Sequence, residues 1–357
     1  TPSTEILEEF AALGGRAQWS PNEKVALEVG IGVCWGGGRA LVTMKHVGLN
    51  VAADPLFTVA YTGVAAGLVI VSADDPGMAS SQNEQDNRRY AVAAGVPMLE
   101  PSDSQEAYDF ALEAFSLSEQ FNLPVLFRMT TRVCHSKTIV ERHPERIAPA
   151  NFSYNRDIPG RVMIPGYARP AHRRLREKLN KISAWSESSP IQREYAGDHD
   201  LGIITSGISF MHAREAAPDA AVLKLGMTYP LPIERIRDFA KKVKTCWVIE
   251  EGDPYLEEAA LAAGIPVKGK PETFRFGELN VNRVRLILSG ATEEPPTRTG
   301  AVPPRLCPTC PHRVVFMGLS RLGCVVAGDI GCYTLGVMPP FEAMATCVCM
   351  RASIGVG

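Results

Sequence analysis

The chain has 357 residues, of which 45% are hydrophobic and 21% charged, and a formal net charge of −2. That length and composition bury a sizeable core over two or three domains, and the near-neutral balance argues against nucleic acid or an anionic membrane surface as partner. Glycine (31) and proline (27) are plentiful but dispersed, which suits many short strand–helix connections rather than disorder.

The sequence opens on Thr1 without a methionine or a signal-peptide pattern, and Gly357 lies inside the glycine-rich stretch ASIGVG. Both ends are therefore expected to be cut from a longer chain. Ile6–Leu13 and Val25–Val33 carry helical spacing, and Ala40–Met44 is a short apolar run. The uncharged stretch from Pro55 to Ala73 has the length of a membrane span, but Pro55, Thr58, Thr62, Gly63 and Gly67 interrupt it. A buried helix running into a core strand at Leu68–Ser72 is the better reading. Gln105–Phe121 is helical, and Val125–Met129 is a further apolar run. This alternation predicts an α/β fold with parallel sheets flanked by helices.

Prolines and charge break the rhythm over residues 141–194, where Arg169–Lys181 is strongly basic and reads as a solvated connector. A second α/β unit is expected over 195–290, with strands at Leu201–Thr205, Ala221–Leu225 and Thr245–Glu250 and a helix at Ile233–Val243. After the Pro/Thr-rich linker 291–304, a third unit starts near 303 and runs to 357. No repeat and no low-complexity tract interrupts this order.

Several clusters carry chemistry. In WSPNEKVALEV, Ser20, Pro21 and Glu23 have the spacing of a capping box. The alternative reading makes Glu23 a functional carboxyl group at a helix start, where apolar surroundings favour the neutral acid and allow it to share a proton with a cofactor ring nitrogen. In LCPTCPHR, Cys307 and Cys310 have metal-ligand spacing, and Cys332 of GDIGC follows. Three thiolates with a fourth out of frame suit a [4Fe–4S] cluster. A structural zinc at Cys307, Cys310, His312 and Cys332, or buried unliganded thiols, are the other readings. With nine cysteines, an odd number crowded towards the end of the chain, a disulfide framework fits less well than a reducing, cytoplasmic setting. TMKHVGLN, ADDPGMASSQNEQDNRR and TTRVCH each follow a strand, where ligands sit in open α/β sheets. Ser81 and Glu84 also have the spacing of a local helix cap.

Together, TPSTE, WSPNEKVALEV, ALVTMKHVGLNVAADPL, SSQNEQDNRRYA, LEPSDSQEA, TTRVCH, CPTCPHR and GDIGCYTLG resemble the thiamine diphosphate-dependent 2-oxoacid:ferredoxin oxidoreductases, in the branch of alpha subunits that act on indolepyruvate. The resemblance implies a multi-domain thiamine diphosphate-binding fold: a pyrimidine-binding domain over 1–140, a connector over 141–194, a transketolase C-terminal-like domain over 195–290 and the start of a diphosphate-binding domain at 303–357. It implies that Glu23 meets the aminopyrimidine ring, that Arg88 and Thr1 meet the substrate, and that Lys45, His46, Gly48, Asn50 and Gly331 border the cofactor. Cys307, Cys310 and Cys332 match thiolates that hold an iron–sulfur cluster in pyruvate-oxidising relatives. The Mg²⁺ and diphosphate ligands are expected beyond Gly357, so Asp329 is not that ligand.

The implied reaction is oxidative decarboxylation of an arylpyruvate to an acyl-coenzyme A and CO₂. A small beta subunit, ferredoxin and coenzyme A are the expected partners, with [4Fe–4S] clusters carrying the electrons. The fragment alone is expected to be inactive. The same chemistry on pyruvate or another 2-oxoacid, and a non-enzymatic zinc-binding module, are the competing functions.

Overall fold

The computed structural model describes residues 3–143, 152–295 and 305–357. They divide into two compact units: Thr1–Ala79 with Glu84–Glu294, and Ser80–Asn83 with Pro295–Gly357.

The larger unit begins with helices α1 (Thr4–Ala12) and α2 (Glu23–Trp35), then strand β1 (Ala40–Lys45), α3 (His46–Val51), α4 (Ala53–Thr62) and β2 (Leu68–Asp74). Next come α5 (Arg88–Ala94), β3 (Met98–Leu99), α6 (Ser104–Phe121), β4 (Val125–Thr130) and α7 (Thr131–His135). The first sheet has the order β1-β2-β4-β3, all parallel, and its edge is completed by a later strand, β8 (Met227–Tyr229), which pairs antiparallel with β3. Burial explains the order. Every residue of β2 and β4 is buried, as central strands covered on both faces require, whereas Leu41 on the edge strand β1 is 40% exposed. The uncharged run thus resolves into α4 and β2, and no helix among the described residues is long and apolar enough to cross a membrane.

The expected connector is largely a helix. After the single turn α8 (Ile158–Arg161), α9 spans Pro165–Ser188 and buries Ala171, Leu175, Leu179, Ile182 and Ser186. Leu175, Leu179 and Ile182 join the core of the first sheet. The charge of Arg169–Lys181 hid an apolar stripe spaced by three to four residues, so one face of the basic run is packed and the other solvated.

A second sheet follows, built from β5 (Arg193–Tyr195), β6 (Asp198–Ser206), β7 (Ala220–Leu225) and β9 (Thr245–Ile249) in the order β5-β7-β6-β9. Only β5 runs antiparallel. Around it pack α10 (Ser209–Ala216), α11 (Ile233–Lys241), α12 (Tyr255–Ala262) and α13 (Val281–Leu288), with separate cores on its two faces. On the interior strand β7, Lys224 is fully buried, bonded to Glu106 of α6 and held over the Phe110 ring.

The smaller unit carries α14 (His312–Leu322), the parallel pair β10 (Ala327–Gly328) and β11 (Thr346–Cys347), a 3₁₀ turn over Cys332–Val337, and α15 (Ala352–Val356). Its core is Leu306, Phe316, Phe341 and Ala343.

Candidate active site

Helix α2 places Glu23. The structure corrects the expected cap: Asn22, not Ser20, accepts the backbone N–H of Val25 at 2.9 Å, so Glu23 is the first helical residue. Relieved of capping, its half-buried carboxylate makes no hydrogen bond or ion pair with any described residue. It lies against Gly48, where a Cβ would come within 2.6 Å of Glu23 Cγ and 3.0 Å of Oε1. Any larger residue there would push the Glu23 side chain aside, so the sequence leaves an unoccupied carboxylate at a helix N-terminus facing a backbone cradle.

The turn that carries Gly48 is α3, immediately after β1. Exposure differs sharply from the end of β1 into this turn: His46 is fully buried, Lys45 half-buried and Asn50 exposed. Burial lowers the Lys45 ammonium below the usual lysine range, with Asp75 opposing that effect. The turn is tied to the segment preceding α5. Gln85 Nε2 donates to the His46 carbonyl and to Asn50 Oδ1, each at 3.0 Å. Asn50 Nδ2 donates back to Gln85 Oε1, also at 3.0 Å, and the Tyr90 hydroxyl donates to Asn50 Oδ1 at 2.7 Å. Asn87 Nδ2 donates to the His46 carbonyl at 3.2 Å and to Ser72 Oγ at 2.7 Å. No helix starts at Ser81; α5 begins only at Arg88.

Arg88 does not offer its guanidinium to a ligand here. It is fully buried, and its three nitrogens donate to Asp86 (2.5–3.0 Å), Glu250 Oε2 (2.6 Å), and the carbonyls of Glu251 (2.7 Å) and Asp253 (3.1 Å). The expected fork on a substrate carboxylate is a pin between the two sheets instead, with all three nitrogens donating to protein groups. Arg128 of β4 extends the joint to Asp74 at 2.6 Å and Glu100 at 3.2 Å. Burial alone would raise the Asp86 acid, but Arg88 and Arg128 outweigh it and hold Asp86 at about 2. The opposite balance applies to Glu251, which burial pushes up to about 7 against the pull of Lys270.

Sequence reasoning singled out Arg88 from SSQNEQDNRRYA and passed over Gln85, Asp86 and Asn87. Consecutive carboxylates directly after an apolar strand, as in ADD at 73–75 and IEE at 249–251, were the signal for the joint. Thr1 lies outside the described residues.

In the smaller unit, Gly331 adopts φ 151°, a conformation that side chains disfavour, and its N–H is bonded to Thr334 Oγ1 at 3.1 Å. Asp329 accepts the Ser353 N–H at 2.7 Å. The thiolate site expected at Cys307, Cys310 and Cys332 is not assembled. Among the described residues no three His, Cys, Asp or Glu side chains are placed to hold a metal ion, and all nine thiols are free. Among the described residues the polar partner of Cys310 Sγ is His312 Nδ1, at 3.2 Å, so the zinc quartet is not formed either. Cys307 and Cys332 are exposed. As placed, these residues do not fit a cluster, and none of the chemistry below runs through one.

Comparison with known proteins places the chain in a family. The chain is 40% identical over 392 aligned positions to indolepyruvate oxidoreductase subunit IorA of Methanothermobacter thermautotrophicus, covering 99% of this chain and 63% of that protein. To IorA of Archaeoglobus fulgidus it is 41% identical, covering 100% of this chain and 63% of that protein. The chain thus spans just under two thirds of these relatives. Similarity to 2-oxoglutarate synthase subunit KorA of M. thermautotrophicus is lower, 26% over 74% of this chain and 85% of that protein. A solved 2-oxoglutarate:ferredoxin oxidoreductase from Magnetococcus marinus shares the fold, with a TM-score of 0.64 over 81% of this chain and 59% of that one at 15% identity. Residues 1–179, which include α2, the Gly48 turn and Arg88, match the family described as pyruvate flavodoxin/ferredoxin oxidoreductase, thiamine diphosphate-binding. By that match over half its length, the chain belongs to the pyruvate flavodoxin/ferredoxin oxidoreductase family through its thiamine diphosphate-binding domain.

Proposed function

We propose that the chain is the cofactor-activating part of a 2-oxoacid:ferredoxin oxidoreductase subunit that decarboxylates arylpyruvates, with indolepyruvate as the type substrate. The observation that carries the reading is the Glu23 carboxylate at a helix start, without a partner among the described residues, against a glycine where a side chain would displace it. Bound thiamine diphosphate would supply an electron sink for the pair released as CO₂ leaves. The protein's part is proton handling and position. Glu23 would hold a proton opposite a ring nitrogen of the pyrimidine, while the α3 turn would set the distance and keep water out. Residues 1–140 would form the pyrimidine-binding domain, 195–290 a transketolase C-terminal-like domain, and 303–357 the start of a diphosphate-binding domain. A small beta subunit, coenzyme A and ferredoxin complete the proposed cytoplasmic system; arylpyruvate preference rests on the names of the IorA relatives.

The test is Glu23→Gln in the assembled enzyme. Glutamine keeps the shape but cannot exchange the proton, so turnover should fall at least about 100-fold while the melting temperature stays unchanged. Full turnover in a folded variant overturns the reading. A substrate panel of indolepyruvate, phenylpyruvate and pyruvate tests the acid: a kcat/KM for pyruvate equal to that for indolepyruvate removes the arylpyruvate assignment.

A further inference from the structure

We infer that Asn87, assisted by Gln85, is a positioning residue for Glu23, clamping the α3 turn so that Gly48 stays against the Glu23 side chain. The inference rests on the functional reading of Glu23 given above.

Helix α3 has six residues, too few to hold a shape on its own, so outside anchors decide where Gly48 lies. The anchors converge on the first residue of the turn. The His46 carbonyl accepts from both Asn87 Nδ2 and Gln85 Nε2. Asn87 is fully buried and spends every polar atom of its side chain on this arrangement: Nδ2 on His46 and Ser72, and Oδ1 on Gln85 Nε2 at 2.7 Å. Its own backbone N–H is fixed by Asp74 Oδ2 at 3.1 Å. The clamp is therefore seated on β2 and the buried acid–arginine joint, and reaches the turn through one carbonyl. Two residues further along, Gly48 approaches Glu23 so closely that a methyl group would overlap it. A displacement of the turn by a fraction of an ångström changes the space open to the Glu23 carboxylate.

The experiment is a double-mutant cycle in the assembled enzyme, combining Asn87→Ala with Glu23→Gln. Misplacing a reacting group by about 1 Å costs on the order of 100-fold, so Asn87→Ala alone should lower kcat by about 10- to 100-fold. In the Glu23→Gln background the same change should alter kcat by less than about 2-fold, because the group it positions is already inactive. Calorimetric titration of the apo-protein with thiamine diphosphate and Mg²⁺ supplies a readout independent of turnover, with an expected loss of affinity of about 10-fold for Asn87→Ala. Equal losses in both backgrounds, or unchanged cofactor affinity, overturn the inference and leave the role of Glu23 standing. A harmless Glu23→Gln overturns both. Should Asn87→Ala fail to fold, Gln85→Ala at a half-buried position enters the same cycle with the same criteria.

Discussion

Glu251 should make the protein lose stability as pH rises from 4.5 to about 7. The residue lies two positions past β9 and is 4% exposed. One oxygen accepts the Leu279 N–H at 3.1 Å, and the other, Oε2, has no hydrogen-bond partner among the described residues. Burial raises the acid from 4.5 to about 7, and repulsion from Glu278 adds to it, against the opposing pull of Lys270 and Arg128. Between these two values the native state keeps a proton that the unfolded chain has released. Stability therefore falls with rising pH across that window, by about 1.4 kcal/mol per unit and about 3 kcal/mol in all. Glu251→Gln keeps an acceptor for Leu279 and removes the titration. Urea denaturation followed by circular dichroism, at pH 4.5 and pH 8, should show the stability difference between variant and wild type shifting by about 3 kcal/mol in the variant's favour, or about 6 °C in Tm. Parallel pH–stability curves for the two proteins would refute the reasoning.

Removing Arg88 leaves Asp86 and Glu250 buried without their cation, so Arg88→Ala should cost about 3–5 kcal/mol in urea titrations. Arg88→Lys should also be destabilised, because one ammonium cannot reach all those acceptors; a normal urea midpoint with only a raised KM would return Arg88 to the substrate. Asn22→Ala should lower stability by about 1 kcal/mol and Ser20→Ala by nothing measurable, with thermal melts separating the two. Leu179→Ala on α9 should cost about 2–4 kcal/mol, where a solvated connector would register no change in the denaturation midpoint.

What was legible in the sequence follows the distance over which each signal acts. Leu68–Ser72 and Val125–Met129 declare themselves as central strands because continuous apolar runs need cover on both faces, and both are buried throughout. The resemblance in KHVGLN pointed to Gly48, which lies close against Glu23. Ser20 and Asn22 are both capping residues, and spacing alone favoured the wrong one; backbone geometry chose Asn22. The stripe on α9 was masked by its arginines, whose long side chains leave the apolar positions between them intact. Arg88 shows the limit most clearly. Its partners Glu250, Glu251 and Asp253 lie more than 160 residues away, so nothing local distinguished a pin from a ligand-binding fork. The cysteines show it too: the spacing of Cys307 and Cys310 is common to several metal sites, and the fold described here completes none of them.

The borrowed edge of the first sheet also sets an order of events during synthesis. Among the described residues, Met98 and Leu99 of β3 pair on their open side with Tyr229 and Met227, with the Glu100 N–H joined to the Gly226 carbonyl at 2.8 Å. A ribosome releases β8 roughly 130 residues after β3, which at ordinary elongation rates means on the order of ten seconds with an unpaired strand edge. During that interval the nascent chain exposes an apolar edge able to recruit another strand, so its early chaperone dependence should end when Tyr229 clears the exit tunnel.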